Sequence, residues 1–378
     1  MNTPRYIIDE SALVRNLEIL KSVSDRAGVK ILLAQKAFSC YDLYPLVAQY
    51  LDGATASGLF EARLAHEAMP GRENHVFAPA FREEDMPELL RTVNHIVFNS
   101  PRQVEMFGAM ARSAGVSVGL RVNPEVSVAT TPAYDPCRPG SRLGTTRKTL
   151  NSQLSTLNFL DGLHFHCLCE QGVEELRKVL AGFEAKFGDL LPQMKWVNFG
   201  GGHHITRADY DVDGLVELLL DFRRRYPHLT VYLEPGEAVA LNAGTLESRV
   251  LEVQPPGEDG ISNAILDMTA ACHMPDVLEM PYSPRITDAA IGAAGPHVYR
   301  FGGPTCLAGD VIGTYSFPKP IAEGDKVVFE DMAIYSMVKN NTFNGIPLPA
   351  IAIRRKGGKV ELLREFGYDD FKSRLGGL

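Results

Sequence analysis

The sequence predicts an α/β protein: a (β/α)8 barrel of the TIM type followed by a C-terminal domain of β-barrel or sandwich character. Three observations carry this. Eight short apolar or β-branched runs bounded by turn residues alternate with helical stripes. The alternation covers about 210 residues, inside the roughly 200 to 400 that such barrels occupy. Past residue 240, strand-like runs follow one another with few helical stretches between them. A doubly wound sheet competes, but it carries a glycine fingerprint after its first strand. The first run here ends Ala34-Gln35-Lys36-Ala37-Phe38, with no glycine.

In chain order, Tyr6-Ile7-Ile8 is a strand that can join the later β domain, and Leu13, Leu17 and Leu20 mark a helix leading into the barrel. Barrel strands are expected at 29–38, 52–57, 75–80, 95–100, 116–124, 160–168, 195–202 and 230–238. Leu43, Leu46, Val47, Tyr50 and Leu51 form an amphipathic stripe, and Leu215, Leu218, Leu219 and Phe222 form another. Beyond the barrel, strands are expected at 245–253, 263–269, 297–301, 310–317, 325–330 and 350–355. Gly357-Gly358 then turns the last of these onto Val360 and Leu362 as a hairpin. The expected division is a barrel over 29–240 and a β domain made of 1–28 with 241–378.

With 378 residues, 45% hydrophobic and 22% charged, the composition is globular and excludes collagen-like, coiled-coil and disordered chains. The formal net charge of −8 supplies no basic field for nucleic acid or an anionic membrane and leaves cationic substrates welcome. No apolar run approaches the roughly 18 residues of a membrane helix, and the N-terminus lacks a signal-peptide layout, so a cytoplasmic protein is expected. Cys40, Cys137, Cys167, Cys169, Cys272 and Cys306 show no C-x-x-C spacing and read as reduced thiols.

Barrel chemistry collects where strands finish. Lys36 stands in an otherwise apolar run, where a lysine is costly unless its pKa falls or a Schiff base consumes its charge; on position alone a snorkelling lysine fits equally. Gly200-Gly201-Gly202 closes strand seven ahead of a helix, in the region where barrels habitually bind phosphate, although a tight turn also uses such glycines. Glu234 ends strand eight, where a carboxylate could keep a pyridine nitrogen protonated; by itself it is as well explained as a satisfied structural acid. His164 and His166 share a strand face, with Cys167, Cys169, His203 and His204 nearby. A hydrolase-type metal site would still be short of ligands, so no metal is expected, and one histidine stacked on a flat ring explains the pair as well. Lysine, histidine, phosphate loop and acid on strands one, six, seven and eight together make a cradle for pyridoxal phosphate.

On these residues the sequence resembles the barrel-type pyridoxal phosphate decarboxylases of alanine racemase-like fold, the group that includes ornithine, arginine and diaminopimelate decarboxylases. The resemblance runs from Tyr6-Ile7-Ile8-Asp9 to Phe343-Asn344-Gly345, through Gln35-Lys36-Ala37-Phe38, Gly162-Leu163-His164-Phe165-His166, Asn198 to His204, Glu234-Pro235-Gly236-Glu237, Cys272 to Tyr282 and Gly303-Pro304-Thr305-Cys306. It implies Lys36 as the cofactor-linking lysine, His166 stacked on the ring, Gly200, Gly201 and Gly202 with Tyr335 on the phosphate, and Glu234 on the pyridine nitrogen. It also implies a homodimer in which Cys306 reaches the partner's site.

Within the group the motifs are most similar to the branch acting on carboxynorspermidine and carboxyspermidine. Where the wider group has Arg after the strand-eight Glu-Pro-Gly, this chain has Glu237, and where it has an acid after the Cys, this chain has Leu307, with Asp310 three later. Both departures count against ornithine or diaminopimelate as substrate. A small cationic carboxylated polyamine needs acids placed along its pocket that are not left unpaired when it is empty. Candidates for substrate binding are Glu237, His273, Asp276, Glu279, Tyr282 and Asp310, and Arg285 could meet the substrate carboxylate because position 283 is Ser283. A decarboxylase of a smaller basic amino acid, a racemase on the same fold and a non-catalytic cofactor carrier are the competing functions.

Overall fold

The computed structural model describes residues 2–377. Its contacts divide the chain into two compact units, 16–239 and 1–15 with 240–378. The division falls inside the helix Glu10–Ala27, whereas the sequence reading ended the first β segment at residue 28.

Strand β1 (Arg5–Asp9) belongs to the second unit. In the first unit β2 (Lys30–Ala34), β3 (Gly53–Ala56), β4 (Glu73–Phe77), β5 (His95–Phe98), β6 (Ser117–Arg121), β7 (Gly162–His164), β8 (Trp196–Asn198) and β9 (Thr230–Leu233) close a barrel in which every pair is parallel. All eight expected strands are present, and all end short of their apolar runs. The runs overshoot because the residues just past each strand stay buried: Phe38, Phe165 and Phe199 are fully enclosed although the ladder has stopped. Sequence periodicity reads burial, and at a barrel rim burial outlasts pairing. The stripe at 43–51 likewise yields only a single helical turn, Tyr44–Val47, whereas the stripe from Leu215 becomes the helix Val212–Arg225.

The barrel interior is filled by side chains. Trp196 occupies space that only glycine could cede: a Cβ on Gly119 or Gly162 would lie 2.3 Å or 2.1 Å from its ring. Its indole N–H donates to Ser117 Oγ at 2.9 Å, which satisfies the one polar atom it buries.

The second unit is a nine-stranded mixed sheet built from β1, β10 (Gly244–Val253), β11 (Ser262–Leu266), β12 (Ala290–Ile291), β13 (His297–Gly302), β14 (Val311–Phe317), β15 (Lys326–Glu330), β16 (Ala350–Arg354) and β17 (Val360–Arg364). Strand β10 is the spine, pairing β1, β11 and β15, while β1 runs antiparallel to it and parallel to β16. The Gly357-Gly358 hairpin pairs β16 with β17. Tyr6, Leu246, Phe301, Tyr315 and Phe329 form the centre of this unit's core. Among the described residues no helix is long and apolar enough to cross a membrane.

Candidate active site

Lys36 sits one residue past β2 rather than within it. The chain turns there, with Ala37 N–H donating to Ala34 C=O at 3.2 Å and Ser39 Oγ–H to Gln35 C=O at 2.7 Å. The side chain is exposed at the mouth of the barrel, yet the wall around it wins over the water on one side. Its pKa is lowered, first by desolvation and then by Arg121, with Glu234, Cys169 and Glu61 opposing.

Glu234 follows β9 and is buried. Desolvation alone would raise its pKa, but His164, His75 and Asn198 outweigh that and hold the carboxyl at about 2. Asn198 Nδ2 donates to Oε1 at 2.7 Å, and His164 Nε2 lies 3.4 Å from Oε2. His164 is itself pushed toward the neutral form by burial, so the pair is an ionised carboxylate beside a neutral imidazole, the charge held by hydrogen bonds. His166 is held neutral more strongly, by burial and by the positive charges of Lys36 and Arg121. Its Nδ1 accepts from Gly201 N–H at 3.2 Å, which leaves its proton on Nε2. Ligand atoms of His164, His166 and Glu234 converge within 4.8 Å of one another.

The glycine triplet is demanded by the protein itself. Gly200 and Gly202 adopt φ of +70° and +82°, and a Cβ on Gly202 would lie 2.1 Å from the Leu168 carbonyl oxygen. Gly200 N–H is taken by Asn198 Oδ1 at 2.8 Å and Gly201 N–H by His166. Of the three amides, only that of Gly202 has no acceptor among the described residues. A phosphate seated here would find that donor open.

Three further residues complete the barrel site. Asn198 grips the glycine loop with one end of its amide and Glu234 with the other. Arg121 is buried over the Phe77 ring at 4.5 Å and donates to the His166 carbonyl at 2.9 Å. Glu61 accepts from Ser57 N–H at 2.6 Å and faces Lys36 electrostatically. The sequence carries a signal for the first two: Asn198 stands two residues before the triplet, and Arg121 is a charge at the end of an apolar strand. Glu61 lies in a helix with ordinary charge spacing and gave no signal.

The residues expected to contact substrate lie in both units. Glu237 is in the barrel unit, half-buried, with Oε1 3.7 Å from His204 Nε2. His273 is fully buried in the second unit, with Nε2 3.1 Å from the Pro347 carbonyl and Nδ1 facing Thr269 N–H. Asp310 is also buried, accepting from Thr269 Oγ1 at 2.6 Å, Thr305 Oγ1 at 2.7 Å and Ala271 N–H at 3.2 Å. It braces the loop that carries Cys306. Arg285 lies near Glu330 and donates to Asn242 Oδ1 at 2.7 Å. Asp276 and Glu279 both hold Lys339. Tyr282 and Cys306 are exposed, and Cys306 N–H is tied to Asn344 Oδ1 at 2.9 Å. Tyr335 has φ of +47°, a conformation that costs a bulky residue about 1–3 kcal/mol and persists where the surroundings impose it.

Comparison with known proteins gives consistent findings. The family model described as "Pyridoxal-dependent decarboxylase, C-terminal sheet domain" matches residues 6–333. The chain is 42% identical over 385 residues to carboxynorspermidine/carboxyspermidine decarboxylase of Campylobacter jejuni, covering 99% of this chain and 98% of that protein. It is 41% identical over 374 residues to carboxyaminopropylagmatine decarboxylase of Synechocystis sp., covering 99% and 95%. The crystal structure of C. jejuni carboxynorspermidine decarboxylase complexed with norspermidine superposes with a TM-score of 0.91 at 41% identity, over 99% of this chain and 100% of that one.

Proposed function

This chain belongs to the pyridoxal-dependent decarboxylase family, and from that premise we propose that it releases CO2 from carboxynorspermidine, carboxyspermidine or both, as a step of polyamine biosynthesis. The observation that carries the chemistry is an ionised, buried Glu234 converging with a neutral His166 in the same barrel mouth as a lysine of lowered pKa. These residues fit pyridoxal phosphate. Lys36 would link it, His166 would lie against its ring, Glu234 would meet the ring nitrogen, and the Gly200–Gly202 loop with Tyr335 would take its phosphate. Bound there, the cofactor supplies an electron sink for the pair left at Cα when the carboxylate departs. A lowered lysine pKa keeps more of the amine in its nucleophilic neutral form at neutral pH. Glu234 would favour a proton on the ring nitrogen, because its own carboxyl, held at about 2, does not compete for one. A racemase would instead limit the sink with an arginine at that position, and here it is occupied by an acid.

The substrate reading is supported by the relatives and by the acids Asp276, Glu279 and Glu237. Remote binding energy from the distal amines positions the α-carboxylate, so ornithine, lysine or diaminopimelate should lose kcat as well as affinity, with kcat/KM lower by about 100-fold or more. Turnover of those amino acids at rates comparable to the carboxylated triamine would overturn the assignment. Carboxynorspermidine and carboxyspermidine differ by one methylene, worth only about 1 kcal/mol, so both should turn over. Carboxyaminopropylagmatine belongs in the same side-by-side assay, because the relative acting on it is as similar as those acting on the triamines. A guanidinium-bearing arm that is clearly the best of the three would displace our choice.

The active unit in this reading is a homodimer with shared sites. Cys306 stands exposed on a braced loop beside exposed Leu307 and tied to Asn344, next to exposed Phe343, a thiol and apolar groups suited to another protein surface. In the partner's site its thiol would deliver or guide the proton that Cα takes up after CO2 leaves. Lys36→Ala and Cys306→Ala enzymes, each nearly inactive, should regain up to about a quarter of wild-type activity when their subunits exchange at random. Exchange without recovery would place both residues in one chain's site and end the shared-site reading.

A further inference from the structure

The end of the barrel opposite the mouth carries a cluster that the chemistry above leaves unused. All eight parallel strands begin there, and Lys30, Glu73 and His95 are the first residues of β2, β4 and β5. Glu73 and His75 are two apart on β4 and share a face, while the register sets His75 directly beside His95. One carboxylate oxygen of Glu73 and one ring nitrogen from each histidine lie within 4.8 Å of one another. His75 is only 1% exposed, in a place where an apolar side chain would bury no polar atom. The two imidazoles stack face to face at 4.0 Å with 10° between their planes, and the Nδ1 of each is buried with no hydrogen-bond partner among the described residues. Tyr232 lies against His75 at 4.8 Å between ring centres, and Trp196 against His95 at 5.1 Å. Packing accounts for these aromatic contacts and not for three convergent donor atoms.

We propose that Glu73, His75 and His95 bind a divalent transition-metal ion of the zinc class, with water completing its coordination. Two imidazoles and one carboxylate suit zinc better than magnesium or calcium, which take oxygen ligands. Glu73 Oε2 stands 3.1 Å from His75 Nε2, close to the roughly 3.3 Å edge of a tetrahedron with bonds of about 2.0 Å, so an ion can replace the proton between them. Lys30 pairs with the other oxygen, Oε1, and thereby aims Oε2 without occupying it. No bond at Nδ1 holds either ring against a turn about Cβ–Cγ, and such a turn brings both lone pairs onto one ion. At the strand ends ligands are too few for a metal; these three meet only when β4 pairs with β5. The ion stabilises the fold, because it binds the closed barrel and not the unfolded chain, in which the three donors are scattered.

The test uses holoenzyme, so that pyridoxal phosphate competes for the mouth, stripped with a chelator and dialysed against Zn2+ or Co2+ alone. One equivalent per chain should be retained, with the visible absorption of nitrogen-ligated cobalt read against the zinc form. The melting temperature should rise by about 5 °C at a zinc concentration roughly 100 times Kd. His95→Gln and Glu73→Gln, both at partly exposed strand starts, should each weaken binding about 100-fold or more, and Lys30→Met about tenfold, the scale of a partner that orients a ligand. His166→Ala should keep the ion. No retained ion in the wild type, or retention undiminished in both glutamine variants, would overturn the site and leave the cluster as packing. Loss of the ion in His166→Ala but not in His95→Gln would place it with His164, His166 and Glu234, which overturns the proposal as well. Should a glutamine variant misfold, Lys30→Met still decides, because it removes no donor atom: unchanged affinity there would overturn the proposed geometry.

Discussion

Lys36→Ala will fold, purify without the yellow colour of a lysine-linked cofactor, and release CO2 more slowly by on the order of 10³-fold or more, as expected when the residue forming the covalent link is removed. The fold should not suffer. Lys36 follows β2 in a turn held by backbone and Ser39 hydrogen bonds, none of which uses the lysine side chain. Its pKa lies below that of a free lysine, so its charged form is disfavoured in the folded state at neutral pH, and Lys36→Ala relieves that penalty. Thermal unfolding of the cofactor-free forms should therefore show the variant no less stable than the wild type. Treating wild-type holoenzyme with borohydride and mapping the tagged peptide is the complementary measurement, with the label on Lys36. A tag on another lysine, or a yellow and active Lys36→Ala enzyme, would dismiss the whole barrel-mouth assignment.

The barrel was legible because eight parallel strands buried on both faces leave eight apolar runs, and a charge at the end of such a run is costly enough to make its residue a candidate. Lys36 came from that logic, His166 from a histidine pair sharing a strand face, and Glu234 from its place at the end of strand eight. Strand ends did not, since Phe165 and Phe199 are as buried in the rim as the strands are in the wall. His273 and Asp310 each lie in or beside a motif and hydrogen-bond inside their own unit, and residue type does not reveal whether a polar side chain finds its partner in the protein or in a ligand. The pairing of Lys339 with Asp276 and Glu279 is hidden for a related reason: the partners are some 60 residues apart in sequence, and only the folded sheet unit brings them together.

Glu234→Gln tests the electronic half of the mechanism, and the expected loss in kcat is on the order of 10²- to 10³-fold, the cost of removing one preorganised charge that stabilises the transition state. The replacement is nearly isosteric. Its amide oxygen can still accept from Asn198 Nδ2, and its amide nitrogen can face His164, whose neutral ring has a lone pair to offer once the tautomer changes. The glycine loop keeps its tie to Asn198, so cofactor retention should stay close to that of the wild type while CO2 release falls.

The pH dependence separates this from a packing defect. The folded-state pKa of Glu234, about 2, lies below the 4.5 of an ordinary glutamate, so its ionised form adds stability above pH 4.5 that is lost progressively as pH falls toward 2. That slope should be missing from the unfolding profile of the glutamine variant. Between pH 6 and 8 the carboxylate never titrates, so any limb of the rate profile there belongs to other groups and should persist in the slow variant. An unchanged kcat with full cofactor occupancy would show that the ring nitrogen is not protonated by this acid, and the decarboxylase chemistry would then need another electrostatic partner for the ring.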